Sequence, residues 1–169
     1  FYPVGPLELG LEHITAKLTW DDVERTCLLP VTVKKKYEAG VDWWETTMPS
    51  SSSWRSVAYG NGRFVAVVGG SSDKAAYSTD GINWIATTLP YFAMWSAITY
   101  CDGKFVVVEG GNSDKAVYSE DGINWNTITM PSYSYWNDAA YGDGKFVAVA
   151  GGGSSDKAAY STDGINWIA

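Results

Sequence analysis

SSDKAAYSTDGINWIA, residues 71–86, returns without a change at residues 154–169, and between the two copies residues 112–125 read NSDKAVYSEDGINW. A fixed period of this kind decides the architecture before any local reading does. Working outward, Trp54, Trp95 and Trp136 are spaced by 41 and 41, Pro49, Pro90 and Pro131 by the same interval, and Trp84, Trp125 and Trp167 by 41 and 42. The extra residue is one added glycine in Gly151–Gly153. The register also reaches upstream, because GVDWWETTMP at 40–49 aligns with GINWIATTLP at 81–90 and GINWNTITMP at 122–131. Three copies of one supersecondary unit are therefore preceded by part of a fourth.

Inside a copy, short runs rich in Val, Ala, Tyr and Phe alternate with turn residues, which predicts four strands. In the first copy they fall at about Trp54–Tyr59, Arg63–Val68, Lys74–Ser78 and Ile82–Thr88. Asn61-Gly62 and Asp80-Gly81 supply the positive φ angles that tight hairpins need. Four antiparallel strands in a unit of about 40 to 45 residues is the period of a β-propeller blade. Runs such as Phe64-Val65-Ala66-Val67-Val68 are apolar on both faces, so each unit has to be sandwiched between neighbours. The expected fold is all-β, a β-propeller-like array of four-stranded antiparallel blades. It has a partial blade at 31–49, repeats at about 50–90 and 91–131, and a last, incomplete one at 132–169.

The first 30 residues lack the repeat and are expected to be a lead-in or docking segment. A short helical turn is expected over Asp21–Leu29 and a strand over Val31–Tyr37, whose Lys34-Lys35-Lys36 run guards a solvated edge. Three repeats and a fraction are fewer than the roughly four to eight blades of a closed ring. The polypeptide is therefore expected to continue past Ala169, or several chains to complete one ring, the former being preferred. The chain starts at Phe1 without signal-peptide features and is expected to be a processed or partial product.

The 169 residues carry 12 Lys and Arg against 19 Asp and Glu, a net charge of -7, which gives phosphate backbones and anionic lipid little to attract them. No apolar run approaches the length of a membrane-spanning helix, about 18 residues. Neither nucleic acid nor membrane insertion is expected. Cys27 and Cys101 lie 74 positions apart, without CxxC spacing, and His13 is the single histidine. No zinc site, other metal or cofactor is expected, and the cysteines read as small buried side chains rather than a pair.

No catalytic constellation emerges either, since His13 lies outside the repeats and would need a nucleophile from a distant unit. The carboxylates fall mostly at repeated turn positions. Asp80, Asp121 and Asp163, each before a glycine, are expected to accept backbone N–H bonds, and Trp84, Trp125 and Trp167 to pack between units. The chain is expected not to be an enzyme.

Strand parity points to a recognition surface. The Ser-Ser-Asp-Lys loops and the PSSSSW, PYFAMW and PSYSYW connections emerge on one rim, opposite the Gly-Asn-Gly and Ser-Thr-Asp-Gly turns. The connections are the most variable part of an otherwise copied unit, and a rigid scaffold with variation on one rim is built for binding. Trp54, Tyr91, Phe92, Trp95, Tyr133, Tyr135 and Trp136 offer flat apolar faces beside hydroxyls, a composition suited to sugar stacking or a protein contact. Periodicity leaves a core role open for the three tryptophans. Asp73, Asp114 and Asp156, each followed by lysine, add hydrogen-bonding groups for sugar hydroxyls or exposed ion pairs.

The pattern W-x4-YGNGxFVAV followed by AxYSTDGxxW, over residues 40–169, resembles the propeller-like repeats of bacteriophage tail-fibre and related phage or bacterial surface proteins. There is a looser similarity to the Asp-box of sialidase-type propellers, although Ser78-Thr79-Asp80-Gly81-Ile82-Asn83-Trp84 is one residue shorter between Asp and Gly. Sialidase-like hydrolysis would imply an arginine triad, whereas Arg25, Arg55 and Arg63 are the only arginines and Arg63 gives way to Lys104 and Lys145 in the other copies. The resemblance implies a non-enzymatic component of a virion or extracellular appendage that recognises a cell-surface glycan or protein receptor. One alternative is an architectural assembly module whose loops meet sister subunits in a homo-oligomer or filament. Another is a fragment of a propeller glycan hydrolase.

Overall fold

A computed structural model describes residues 12–20, 23–31, 44–152 and 155–169. Among them every regular element is a strand. The chain divides into two compact units, Phe1–Trp44 and Glu45–Ala169.

In the first unit, β1 (Glu12–Trp20) and β2 (Val23–Val31) form an antiparallel pair in continuous register from Glu12↔Val31 to Trp20↔Val23. The helical turn expected over Asp21–Leu29 is thus replaced by a strand. VERTCLLPV is bonded to EHITAKLTW along its whole length, and cross-strand pairing overrides the weak local helix propensity of Glu24 to Leu29. The strand expected over Val31–Tyr37 falls, beyond Val31, outside the described residues, as do the three lysines and most of the partial blade at 31–49.

The second unit contains a seven-stranded and a three-stranded antiparallel sheet, each with strands in chain order. The larger one runs β3 (Trp54–Gly60), β4 (Arg63–Val68), β5 (Gly70–Ser78), β6 (Ile85–Cys101), β7 (Lys104–Glu109), β8 (Ser113–Ser119) and β9 (Asn126–Ser134). The smaller one is β10 (Trp136–Gly142), β11 (Lys145–Ala150) and β12 (Ala158–Ser161), with a further bridge Tyr160↔Ile168. The first hairpin of each repeat is a two-residue turn of type I′ character. Asn61, Asp102 and Asp143 have φ of 48°, 46° and 49°, and the following Gly62, Gly103 and Gly144 have 71°, 75° and 73°.

The all-β expectation is met, but the hydrogen-bonded sheets do not divide into separate four-stranded sets. The first and second repeats are joined because β6 runs without a break from one into the other. Its N-terminal part pairs with β5 from Tyr77↔Ile85 to Lys74↔Thr88, and its C-terminal part pairs with β7 from Trp95↔Glu109 to Cys101↔Lys104. Between them Ser72↔Ala93, Ser71↔Met94 and Gly70↔Trp95 extend the β5 ladder, so the second half of the segment expected as a loop is paired as strand. β6 also begins three residues later than expected, because the Ile82 and Asn83 N–H groups are taken by the Asp80 carboxylate.

Apart from one-residue irregularities at Arg55, Ser96 and Asn137, residues alternate between two faces, and successive repeats pack face to face. Val65, Val67, Ala75, Ala58 and Tyr77 of the first repeat pack on Phe105, Val107, Val117, Ile98, Tyr100 and Trp125 of the second. The second repeat meets the third in the same way, Val106, Val108 and Ala116 packing with Phe146, Ala148, Ala159 and Trp167. The first strands of successive repeats lie side by side: the Ser56 hydroxyl accepts from the Ile98 N–H (3.2 Å), and the Ser96 hydroxyl donates to the Trp136 carbonyl (2.6 Å).

Candidate functional site

The turn after the third strand of each repeat is built identically three times. Ser78, Ser119 and Ser161 are buried, and each hydroxyl donates to its aspartate Oδ1 at 2.9 Å while accepting from the N–H of Gly81, Gly122 or Gly164 at 2.8–2.9 Å. The same Oδ1 accepts two backbone N–H groups, from Ile82 and Asn83, Ile123 and Asn124, or Ile165 and Asn166, at 2.7–2.8 Å. Oδ2 takes the asparagine amide at 2.7 Å. The aspartates therefore act as expected, as organisers of a turn.

Charge follows from this geometry. The Asn83 N–H and amide, then the Ile82 N–H, hold Asp80 well below the usual carboxylate range, and the equivalent groups of Asn166 and Ile165 do so for Asp163. At Asp121 slight burial pulls the other way, but the Asn124 and Ile123 N–H groups outweigh it and the direction is again down. A carboxyl whose folded value lies below its unfolded value stabilises the fold above the unfolded value and loses that contribution as pH falls through the folded one. Stability is therefore expected to drop as pH falls below about 4, the ordinary aspartate value. Urea midpoints measured from pH 7 down to pH 2 should show a steep acid limb in the native chain. In the triple variant Asp80→Asn, Asp121→Asn, Asp163→Asn that limb should flatten.

The opposite rim carries the predicted binding residues. On β5, Asp73 alone separates Ser72 from Lys74, whereas on β6 the paired positions Ala93 and Thr88 are separated by Leu89, Pro90, Tyr91 and Phe92. The second repeat does the same, Asp114 standing opposite Met130–Tyr133 between Ser113↔Ser134 and Lys115↔Thr129. Each junction is thus a bulge in a paired ladder. Leu89 and Met130 turn inward and are buried, and Phe92 and Tyr133, at equivalent positions, turn outward with 71% and 65% exposure. Tyr135 and its counterpart Met94 are also exposed. Asp73 and Asp114 are half-buried beside these bulges, and Asp156 is exposed.

The tryptophans behave differently. Trp95 and Trp136 are buried in the core, so they do not present a face to solvent, and their expected ligand contact is replaced by an anchoring role. Their indole N–H groups donate to the Ser72 carbonyl (2.9 Å) and the Ser132 carbonyl (3.3 Å), holding the rim backbone down. Trp54 is half-buried and donates to the Ser50 carbonyl at 3.1 Å. Its own connection, Ser50 to Ser53, carries no aromatic side chain.

The repeated lysines reach back to the junction that enters their own repeat. Lys74 Nζ lies 3.4 Å from the Ser52 hydroxyl, Lys115 Nζ sits over the Tyr91 ring at 5.1 Å, and Lys157 Nζ donates to the Tyr133 carbonyl at 3.0 Å. Tyr91 is the exceptional member, half-buried, with its ring 5.2 Å from that of Trp95 and its hydroxyl enclosed without a hydrogen-bond partner. Burial, with Glu109 and Asp114 nearby, pushes its ionisation up. The periodic lysine contacts were not legible from sequence, where the Asp-Lys spacing suggested pairing within the loop.

Cys101 is a free, half-buried thiol, and the Cys27 side chain lies outside the described residues. Among the described residues no three His, Cys, Asp or Glu side chains are grouped to hold a metal ion, and no helix is long and apolar enough to cross a membrane. No family model matches the chain, and no curated protein matches it.

Proposed function

We propose that this chain is a non-enzymatic binding protein of a phage tail fibre or similar surface appendage, in which propeller blades hold aromatic bulges toward a cell-surface glycan. The observation that carries the reading is the junction itself: Phe92 and Tyr133 stand exposed at equivalent places, each opposite an aspartate of the paired strand, with a buried tryptophan bonded to the facing Ser72 carbonyl in one junction and to the adjacent Ser132 carbonyl in the other. A flat ring next to fixed hydrogen-bonding groups fits the alternating apolar and hydroxylated faces of a sugar. Rigid loops lose little entropy on binding, and repetition at a 41-residue interval provides several weak sites on one scaffold.

The propeller reading is supported by the side-by-side first strands of successive repeats, which is where the inner strands of neighbouring blades meet around an axis. A receptor of protein character would use the same surface.

The test is glycan-array binding followed by titration with the best oligosaccharide. Tyr133→Ala is expected to weaken a site by about tenfold, corresponding to about 1.4 kcal/mol, and Phe92→Ala to do the same at the other junction. Binding that is unchanged in the doubly substituted protein, with its near-ultraviolet dichroism intact, would remove this rim from consideration.

A further inference from the structure

The hairpin turn between the first two strands differs among the copies. It is Asn61-Gly62 in the first repeat, Asp102-Gly103 in the second and Asp143-Gly144 in the third. An asparagine amide is least durable before glycine, because glycine has no side chain to shield its main-chain nitrogen from the neighbouring carboxamide. Of the seven asparagines only Asn61 has glycine after it. Asn83, Asn124 and Asn166 precede tryptophan, and their amides are held at 2.7 Å by the turn aspartates. Asn112, Asn126 and Asn137 precede serine, threonine and aspartate.

The fold leaves this amide open to reaction. Asn61 and Gly62 are exposed, and so are Asp102 and Gly103 in the second repeat, which has a packed neighbour on both sides. The exposure is therefore a property of the turn and not of the ends of the chain. A two-residue turn closes on the Gly60↔Arg63 pair, so the Gly62 N–H stands outside the ladder. Nothing lies within 4 Å of a Cβ built on Gly62, which leaves room for a ring to form over it. The Asn61 amide makes one long bond, to the Glu120 carbonyl at 3.4 Å.

We propose that Asn61 is a site of spontaneous modification, at which the amide becomes an acid by intramolecular attack followed by hydrolysis. The Gly62 nitrogen bonds to Asn61 Cγ, the Cγ–Nδ2 bond breaks, and ammonia leaves with the proton of the Gly62 N–H. Water then opens the succinimide, giving aspartate when it cleaves the Cγ side and isoaspartate when it cleaves the main-chain side. Nothing is oxidised or reduced. The two products have opposite consequences. Aspartate already stands at this position in the other repeats, with φ of 46° and 49° against 48° for Asn61, so the turn holds it without rearrangement. Isoaspartate puts an extra carbon into the main chain of a turn whose geometry is set by its length. Arg63 follows directly; its guanidinium donates to the Asp121 carbonyl of the second repeat and lies over the Tyr77 ring at 5.2 Å. Displacement there reaches the contact between the first two repeats. The turn lies beside the aspartate turns and not on the aromatic rim, so the inference does not depend on the glycan reading.

Peptide mapping by mass spectrometry tests it, on the folded chain kept in mildly alkaline buffer and sampled over time. The peptide containing Asn61 should gain the mass difference between an amide and an acid before any other asparagine peptide does. It should give two separable products, one of them a substrate for an isoaspartyl methyltransferase. Fresh Asn61→Asp should keep the native urea midpoint, while the aged native chain should develop a lower-urea component in step with its isoaspartate. An Asn61 peptide that keeps its amide over several half-lives of the same sequence as a free peptide overturns the proposal. Earlier reaction at another asparagine overturns it as well, and so does a product that is aspartate alone. Loss of stability in fresh Asn61→Asp equal to that of the aged chain overturns the assignment of the damage to isoaspartate.

Discussion

Trp136→Ala is expected to lower the unfolding free energy by about 3–5 kcal/mol, the range for removing a large aromatic side chain from a packed interior. Trp136 has 0% exposure and belongs to the cluster in which Val106, Val108 and Met130 meet Phe146, Ala148 and Trp167. Its removal opens a cavity where the second and third repeats join, and it also frees the Ser132 carbonyl from the indole N–H. The size of the effect separates an anchor from a contact residue. Trp54, which is half-buried at the same point of the first repeat, should cost clearly less when replaced by alanine. Urea denaturation of the two variants, followed by tryptophan fluorescence, checks the order. Equal and small losses would mean that Trp136 is not the pin of its junction.

That difference also marks where the sequence stops being informative. The 41-residue period identifies Trp54, Trp95 and Trp136 as equivalent, and equivalence in sequence is equivalence in strand position. It does not tell how much of each is covered, because coverage is a property of the neighbouring repeat. Trp95 and Trp136 lie in the clusters where successive repeats meet, and among the described residues Trp54 belongs to neither.

Strands were legible where the local signal was strong. The run expected over Arg63–Val68 is β4 residue for residue, since Asn61-Gly62 sets its start and alternating apolar packing its length. The aspartate turns were legible for the same reason, being fixed by contacts within a few residues. Long-range pairing was not legible. PYFAMW, with a proline and three aromatic residues between two copies of a unit, looks like a connection, but the Ser71–Ser72 segment lies alongside and draws it into a ladder. The helical turn expected over Asp21–Leu29 fails for a related reason, since the pairing of Val23–Val31 with Glu12–Trp20 is a long-range contact that the local sequence does not announce.

The candidate site shows the same division. Sequence variation located the rim and named Tyr91, Phe92, Tyr133 and Tyr135, but only the strand character of these segments, read as loops from sequence, puts Phe92 and Tyr133 outward and Leu89 and Met130 inward. The alternation of a regular strand runs on through the bulge: Leu89, Tyr91 and Ala93 lie toward the core, and Pro90, Phe92 and Met94 toward solvent.

Gly122→Ala should be among the most damaging single changes, and Gly103→Ala is its control. Both glycines have positive φ, 72° and 75°, so both substitutions carry the backbone cost of a left-handed alanine, about 1–2 kcal/mol. They differ in space. At Gly103 nothing lies within 4 Å of the added Cβ, whereas at Gly122 it would lie 2.4 Å from Val65 Cγ2 and 3.3 Å from the Phe105 ring. Val65 is at 0% exposure in the core between the first two repeats, so it cannot yield without moving the packed layer behind it. Overpacking of that kind adds about 1–3 kcal/mol. The serine hydroxyl that accepts the Gly122 N–H would also be pulled out of line, and with it the aspartate that it supports. Gly122→Ala should therefore cost about 2–5 kcal/mol against about 1–2 for Gly103→Ala, read as the difference in urea midpoint at constant slope. If the two variants lose the same amount, the turn glycine is there for its φ angle alone, and the close approach of repeats at Val65 places no demand on it.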